Sequence, residues 1–337
     1  MRSIVGGISA LVLTATLAAC GGSDEPGVLA DDWDGIVQAA KDEGSLTLYT
    51  SAGTVPSEEL IKAFTDKYGV DVTLVRGIDS ELLPKIETEL NINKGIADVF
   101  ITSDQLWTES HPDAVTELKG PAVDEDAYNA AVNAPEKTWA ATHAFIAALS
   151  WNTDLVSKDL ATFADLLDPS LSNGKIGLPD PDVSPSIVQF YQHLEAVEGV
   201  DYVEKLAAQS PRIYSSTAAM MQAIASGEVA ASPYTQLMVD EKAAGAPVEY
   251  VVPEDAWGVR SYGGVMKTAP NPNAAQLFMD FVLSHDGQVA FTEPKYGTPR
   301  NDVEGAAASF DSVSLVESYP DATEVSDFRS RFKSLMK

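Results

Sequence analysis

Three short polar segments each follow an apolar run of β-type composition: Ser51-Ala-Gly-Thr54, Arg76-Gly-Ile-Asp-Ser80 and Thr102-Ser-Asp-Gln105. They bring hydroxyls, a guanidinium, carboxylates and backbone N–H groups beside helix starts. Those groups suit the capture of a small polar or anionic solute through charge-assisted hydrogen bonds. Ser51, Thr54, Arg76, Ser103 and Asp104 are therefore candidate ligand-binding residues. The same residue types also serve as turn and cap residues, so each segment alone carries little. Their convergence at one sheet edge would make a site.

A second group lies further along. Tyr214-Ser-Ser-Thr-Ala218 opens a predicted helix. Ser215 and Ser216 there could bind an anion or simply cap the helix. Tyr234, Trp257-Gly258 and Tyr262-Gly-Gly264 place aromatics beside short strands. Such rings can line a cleft or pack its rim. Tyr234 and Tyr262 join the candidates. Catalytic signatures are missing: there is no G-x-x-x-x-G-K-[ST], G-x-G-x-x-G, G-x-S-x-G or H-E-x-x-H. The four histidines (His111, His143, His193, His285) are scattered, and His143 in its apolar segment reads as a core residue. One cysteine cannot build a disulfide or a cysteine-ligated metal site. The chain reads as a binding protein, not an enzyme, with no cofactor.

The elements that must position these residues follow from periodicity. A helix is predicted from Asp32 to Asp42 and closed by Gly44, followed by a strand over 46–50. Ser57 and Ser80 are expected to cap the next two helices, with strands over 70–75 and 97–101 between and after them. Alternating strands and helices mean βαβ units and a parallel sheet. Ligands in such sheets sit outside the carboxyl ends of the strands. The apolar run 140–151 could cross between lobes. A second α/β set follows, with a strand at 175–178, helices at 186–197, 202–209 and 217–226, and strands at 229–232 and 248–252. A further helix is predicted to start at Asn271-Pro272. The fold class is α/β, with two Rossmann-like lobes and a central cleft. Lobe 1 is expected over 32–148 and 260–337, and lobe 2 over 149–259.

The 337 residues carry 22 Lys+Arg against 50 Asp+Glu, a net charge of −28. That excess argues against a nucleic-acid partner, which needs basic patches, and against binding to anionic lipid headgroups. Residues 1–19 hold one charge, Arg2, and an apolar run too short and interrupted for a comfortable membrane span. They read as a signal peptide. Leu17-Ala-Ala-Cys20-Gly21 resembles a bacterial lipobox, in which Cys20 is lipidated and becomes the mature N-terminus. The alternative is an ordinary signal peptide with an incidental cysteine. Residues 20–31 then form a lipidated, Gly-rich tether, and the chain faces outward from the bacterial cell membrane.

Several motifs in order carry a family resemblance: the lipobox, Leu46-Thr-Leu-Tyr-Thr50, Ile96-Ala-Asp-Val-Phe100, Trp151-Asn-Thr-Asp-Leu-Val156, Lys175-Ile-Gly-Leu-Pro-Asp-Pro181, Ala223-Ile-Ala-Ser-Gly-Glu-Val229 and Ala269-Pro-Asn-Pro-Asn-Ala-Ala275. The chain resembles the extracellular solute-binding proteins of ABC importers, in the branch of the ferric-ion-binding proteins. The resemblance implies the type II periplasmic-binding-protein fold and a ligand held between closing lobes. It also implies a permease and an ATPase as partners of a monomer. In the ferric members two adjacent tyrosines, a histidine and an acid hold the metal. The acid position falls on Asp104 and the histidine position near Gly53, and Tyr234 is followed by Thr235 where a second tyrosine would stand. One tyrosinate and one carboxylate are a thin set for ferric ion. An organic ligand with an anionic group is the expected alternative, with ferric binding through Asp104 and Tyr234 the runner-up, and an extracytoplasmic enzyme on the same fold a third reading.

Overall fold

The computed structural model describes residues 27–129, 133–134, 136–316 and 320–337. Residues 1–19, Cys20 and the start of the tether lie outside them. Among the described residues no helix is long and apolar enough to cross a membrane.

The first α/β set forms where the apolar spacing predicts. Helix α1 (Trp33–Glu43) buries Ile36 and Ala40 and ends at Gly44, whose φ of 72° no β-branched residue would tolerate. Then come β1 (Ser45–Thr50), α2 (Thr54–Tyr68), β2 (Asp71–Arg76), α3 (Asp79–Asn91), β3 (Val99–Thr102), a short α4 (Gln105–Ser110) and β4 (Val115–Thr116). Strand β1 pairs in parallel with both β2 and β3. Two expected caps change. Helix α2 starts behind Gly53, and Ser57 lies buried in its first turn, donating to the Gly53 carbonyl at 2.8 Å. Helix α3 starts behind Ile78 with no side-chain cap.

The apolar run 140–151 splits at Ala147 into β5 (Ala140–Ile146) and β6 (Ala148–Asn152). Strand β5 lies in the first sheet and β6 in the second, so the chain crosses here. The second set comprises β7 (Gly177–Pro179), α5 (Pro185–Glu198), α6 (Tyr202–Ala208), β8 (Arg212–Tyr214), α7 (Thr217–Ala225), β9 (Ala231–Thr235), α8 (Val239–Ala243) and β10 (Val248–Val251). Strand β11 (Trp257–Met266) returns to the first sheet. It is followed by α9 (Pro272–Leu283), α10 (His285–Thr292), β12 (Gly297–Thr298), β13 (Ala308–Ser309), β14 (Ser314–Leu315) and α11 (Ala322–Leu335).

The main path of the first sheet runs β13-β12-β5-β11-β3-β1-β2. The second runs β10-β6-β9, and a parallel bridge from Ile176 to Ala231 joins it to the parallel pair β7-β8. Each sheet has its own core. Leu46, Leu48, Phe64, Phe100, Phe278 and Phe281 belong to the first, and Trp151, Phe163, Phe190 and Tyr191 to the second. Strand β11 spans both: Trp257 and Val259 pack in the second core, Val265 and Met266 in the first.

The C-terminal helix departs from the expected division. The expected division places residues 260–337 in lobe 1, but Val325, Phe328 and Phe332 of α11 bury in the second core. Phe328 stacks on Tyr191 at 5.6 Å, and Arg331 grips both oxygens of Glu195 at 2.7 Å. The chain returns to lobe 2 after β14; the i, i+3, i+7 spacing of Val325, Phe328 and Phe332 marks a buried face but not the core it joins.

Asp98 locks the first sheet to α9. Its carboxylate accepts the N–H groups of Thr47 at 2.8 Å and Asn271 at 2.6 Å. Burial pushes its pKa up to about 6 despite those donors. A carboxyl raised in the folded state adds stability at low pH and loses it as pH climbs through about 6. The stability difference between the wild-type protein and Asp98→Asn, read from urea midpoints, should therefore be most favourable to wild type near pH 4 and shrink by pH 7. A difference that stays flat with pH would refute the shifted carboxyl.

Candidate functional site

The carboxyl ends of β1, β2 and β3 are adjacent, so their three loops meet at one edge. Thr50, the last residue of β1, turns its hydroxyl to accept the Ala52 N–H at 3.0 Å. Arg76, at the end of β2, donates from Nε to the Ala52 carbonyl at 3.0 Å. Its side chain is otherwise exposed and has no carboxylate partner among the described residues. Asp79 ties the second loop to the third: one oxygen accepts the Thr102 hydroxyl at 2.7 Å, the other the Ser103 hydroxyl at 2.6 Å. A carboxylate with this many donors is committed to holding the loops, and Ser103 is partly used by it.

Asp104 caps α4, accepting the Trp107 N–H at 2.9 Å. Its role as an acid ligand would compete with that cap. Ser51 is half-buried and Thr54 exposed beside Gly53. Gly53 holds a residue that its sequence context does not announce. The Gly53 N–H donates to the Tyr296 hydroxyl at 2.8 Å. Tyr296 follows α10, 243 positions away in sequence. Burial pushes its pKa up, while the backbone N–H of Gly53 and the nearby Arg76 and Gln236 oppose the rise. Gln236 follows β9, so this hydroxyl sits where the first lobe meets the second.

The second-lobe candidates divide. Ser215 and Ser216 are exposed at the start of α7, and Ser216 caps it by accepting the Ala219 N–H at 3.4 Å. Tyr234 lies inside β9, not after a strand as expected, and its ring packs against Phe145, Phe190 and Trp257 with centroids 5.1, 4.8 and 6.0 Å away. Tyr262 is corrected more strongly. It lies within β11, is 2% exposed, packs edge-on to Trp139 and donates to Gln105 at 3.1 Å. The long crossing strand continues through the glycines that suggested a loop, and so buries the ring. Asp104 and Tyr234, the ferric pair, belong to different lobes and different structural tasks. Among the described residues no group of three or more His, Cys, Asp or Glu is placed to hold a metal ion.

His143 is a core residue, as its apolar segment predicts. Its Nδ1 lies 3.1 Å from the Thr142 hydroxyl, and burial alone holds its pKa down near 3. It stays neutral across the physiological range and offers no charge to a ligand. Gln236 and Tyr296 are the residues that sequence reasoning missed. Neither sits in a motif, and only the meeting of two distant loops gives them a place.

Two α/β lobes, joined by antiparallel crossing strands and presenting polar loops to each other, define a two-lobed binding protein of the type II periplasmic fold. The sequence profile of the bacterial extracellular solute-binding proteins matches residues 46–297, and the chain belongs to that family. Iron uptake protein A1 of Synechocystis is 26% identical over 323 residues, covering 88% of this chain and 85% of that protein. A substrate-binding protein of an ABC transporter from Agrobacterium tumefaciens superposes with a TM-score of 0.70 at 16% identity, covering 88% and 96% of the two chains. AfuA of Actinobacillus pleuropneumoniae, with fructose-6-phosphate bound, superposes with a TM-score of 0.61 at 25% identity, covering 87% and 97%.

The Gly53–Tyr296 contact is tight. A Cβ on residue 53 would stand 2.9 Å from the Tyr296 hydroxyl. Gly53→Ala should destabilise the protein by about 1–3 kcal/mol, the usual range for overpacking, in urea unfolding. A neutral result would mean that Tyr296 moves aside without cost.

Proposed function

We propose that this solute-binding protein holds a small organic ligand with an anionic group between its lobes and hands it to an ABC importer. One observation carries the reading: Arg76, with its guanidinium unpaired by any described carboxylate, stands at the carboxyl edge of the parallel strands near Tyr296, whose hydroxyl meets both Gly53 and Gln236 of the other lobe. A cation at such an edge selects an anion, and the cleft's local field need not follow the net charge. Ser51, Thr54 and Ser103 would add hydroxyls from lobe 1, and Ser215 and Ser216 could close on the ligand from lobe 2. The sugar phosphate bound to AfuA supports an anionic organic class. The lipobox supports Cys20 as a lipid anchor on the outer face of the membrane, with the permease reached from there. The chain acts as a monomeric carrier, and the missing catalytic signatures support binding without turnover.

A ligand that binds only the native state raises the melting temperature by mass action. A screen of phosphonates, sugar phosphates, organic acids, amines and metals should yield a shift with at least one anion, and Arg76→Ala should weaken that anion by about 1.5–3 kcal/mol, the range for hydrogen bonds to charged groups. No shift with any compound at millimolar concentration would count against the reading, and unchanged affinity would remove Arg76 from the site.

A ferric ligand is the second reading, favoured by the name of the Synechocystis relative. Tyrosinate–iron coordination is coloured. The protein should stay colourless after ferric loading, and a visible absorption band would establish the iron reading instead.

A further inference from the structure

Lys295 and Asp240 join the two lobes. The Lys295 ammonium lies 3.2 Å from an Asp240 carboxylate oxygen. Lys295 precedes Tyr296 on the connection from α10 to β12, and Tyr296 packs in the first core. Asp240 lies in the first turn of α8, just beyond Gln236, and α8 leans on β10 of the second sheet. Ion pairs such as Lys67–Asp286 and Arg300–Asp302 in the first lobe, and Lys242–Glu249 and Arg331–Glu195 in the second, lie within one lobe. The lysine is the constrained partner, with its side chain only 14% exposed against 67% for the aspartate. A flexible cation held this way has already lost much of its rotamer freedom, so less is lost when the pair forms.

We propose that Lys295 and Asp240 form a latch between the lobes, close to the strand crossing at Ala147, that sets the balance between open and closed lobes. The proposal rests on the reading of the cleft as the solute site. Contact between the lobes recurs beside it, where Gln236 faces the Tyr296 hydroxyl. Beside Asp240, Glu241 adds a second carboxylate, and Lys242 is committed to Glu249 at 2.7 Å. Opening the lobes separates Lys295 from Asp240 and exposes the lysine. A surface pair of this kind changes such an equilibrium by roughly two- to fivefold, and the apparent affinity for any ligand of the closed state scales with the closed fraction.

The test needs no ligand. Small-angle X-ray scattering of the full chain should give a larger radius of gyration for Lys295→Glu and for Asp240→Asn than for wild type. Combining Lys295→Glu with Asp240→Lys should restore the wild-type value, because the swap rebuilds the pair with reversed charges. Lys242→Glu breaks a pair inside lobe 2 and should leave scattering unchanged. Single variants that scatter like wild type, or a swap that fails to restore compactness, would overturn the latch. These outcomes are separate from the solute reading, which stands or falls on the thermal-shift screen.

Discussion

The antiparallel pairing of β5 with β11 is the contact on which the rest of the structure depends. It runs from Gly258 opposite Ile146 to Gly263 opposite Ala140, with an irregularity at Ser261 and Tyr262. These are the two strands that carry the chain between lobes. Each is fixed at one end in one core, so the pair is at once a piece of the first sheet and the link to the second. The approach is close: a Cβ on Gly258 would stand 2.6 Å from the Phe145 carbonyl. Glycine is required there by backbone proximity, not by an unusual dihedral angle. Lobes tied by paired strands can pivot as bodies while each keeps its own hydrophobic core.

Given that link, the functional edge assembles by topology. Parallel β1, β2 and β3 bring three loops to one side, and buried polar groups hold them in register. Asp79 clasps Thr102 and Ser103 at that edge, and at the other end of β3 Glu89 accepts the N–H groups of Ile96 at 2.8 Å and Ala97 at 3.0 Å, together with the Tyr49 hydroxyl at 2.9 Å. A buried carboxylate such as Glu89 is costly unless it is saturated with donors, and it is. Residues with the right chemistry for a ligand are thereby sorted into those that build the loops and those left to act. Asp79 and Asp104 fall in the first group, and Arg76 in the second.

Charge plays a different part at each scale. The net charge of −28 describes the surface and says little about the cleft. Locally, burial sets the behaviour of Asp98 and Asp280, both raised to about 6, and of His143, lowered to about 3. Their pH effects oppose each other. The two carboxyls favour the folded state as pH falls through 6, whereas His143 favours it less as pH falls below the ordinary imidazole range.

The amino-acid sequence by itself determined the α/β class, the parallel βαβ start, the crossing at 140–151, the three polar loops and the core placement of His143. Each is a local or periodic property: hydrophobic spacing selects helix or strand, glycine ends the helix, and the order of elements dictates parallel pairing. The tertiary structure decided everything that joins distant residues. Tyr296 reaches Gly53, Lys295 reaches Asp240, Tyr262 disappears into a crossing strand, and α11 joins the second core. No periodicity encodes these, because a long-range contact depends on how whole elements pack, and the packing energy is spread over many residues that the pattern of any one segment does not contain.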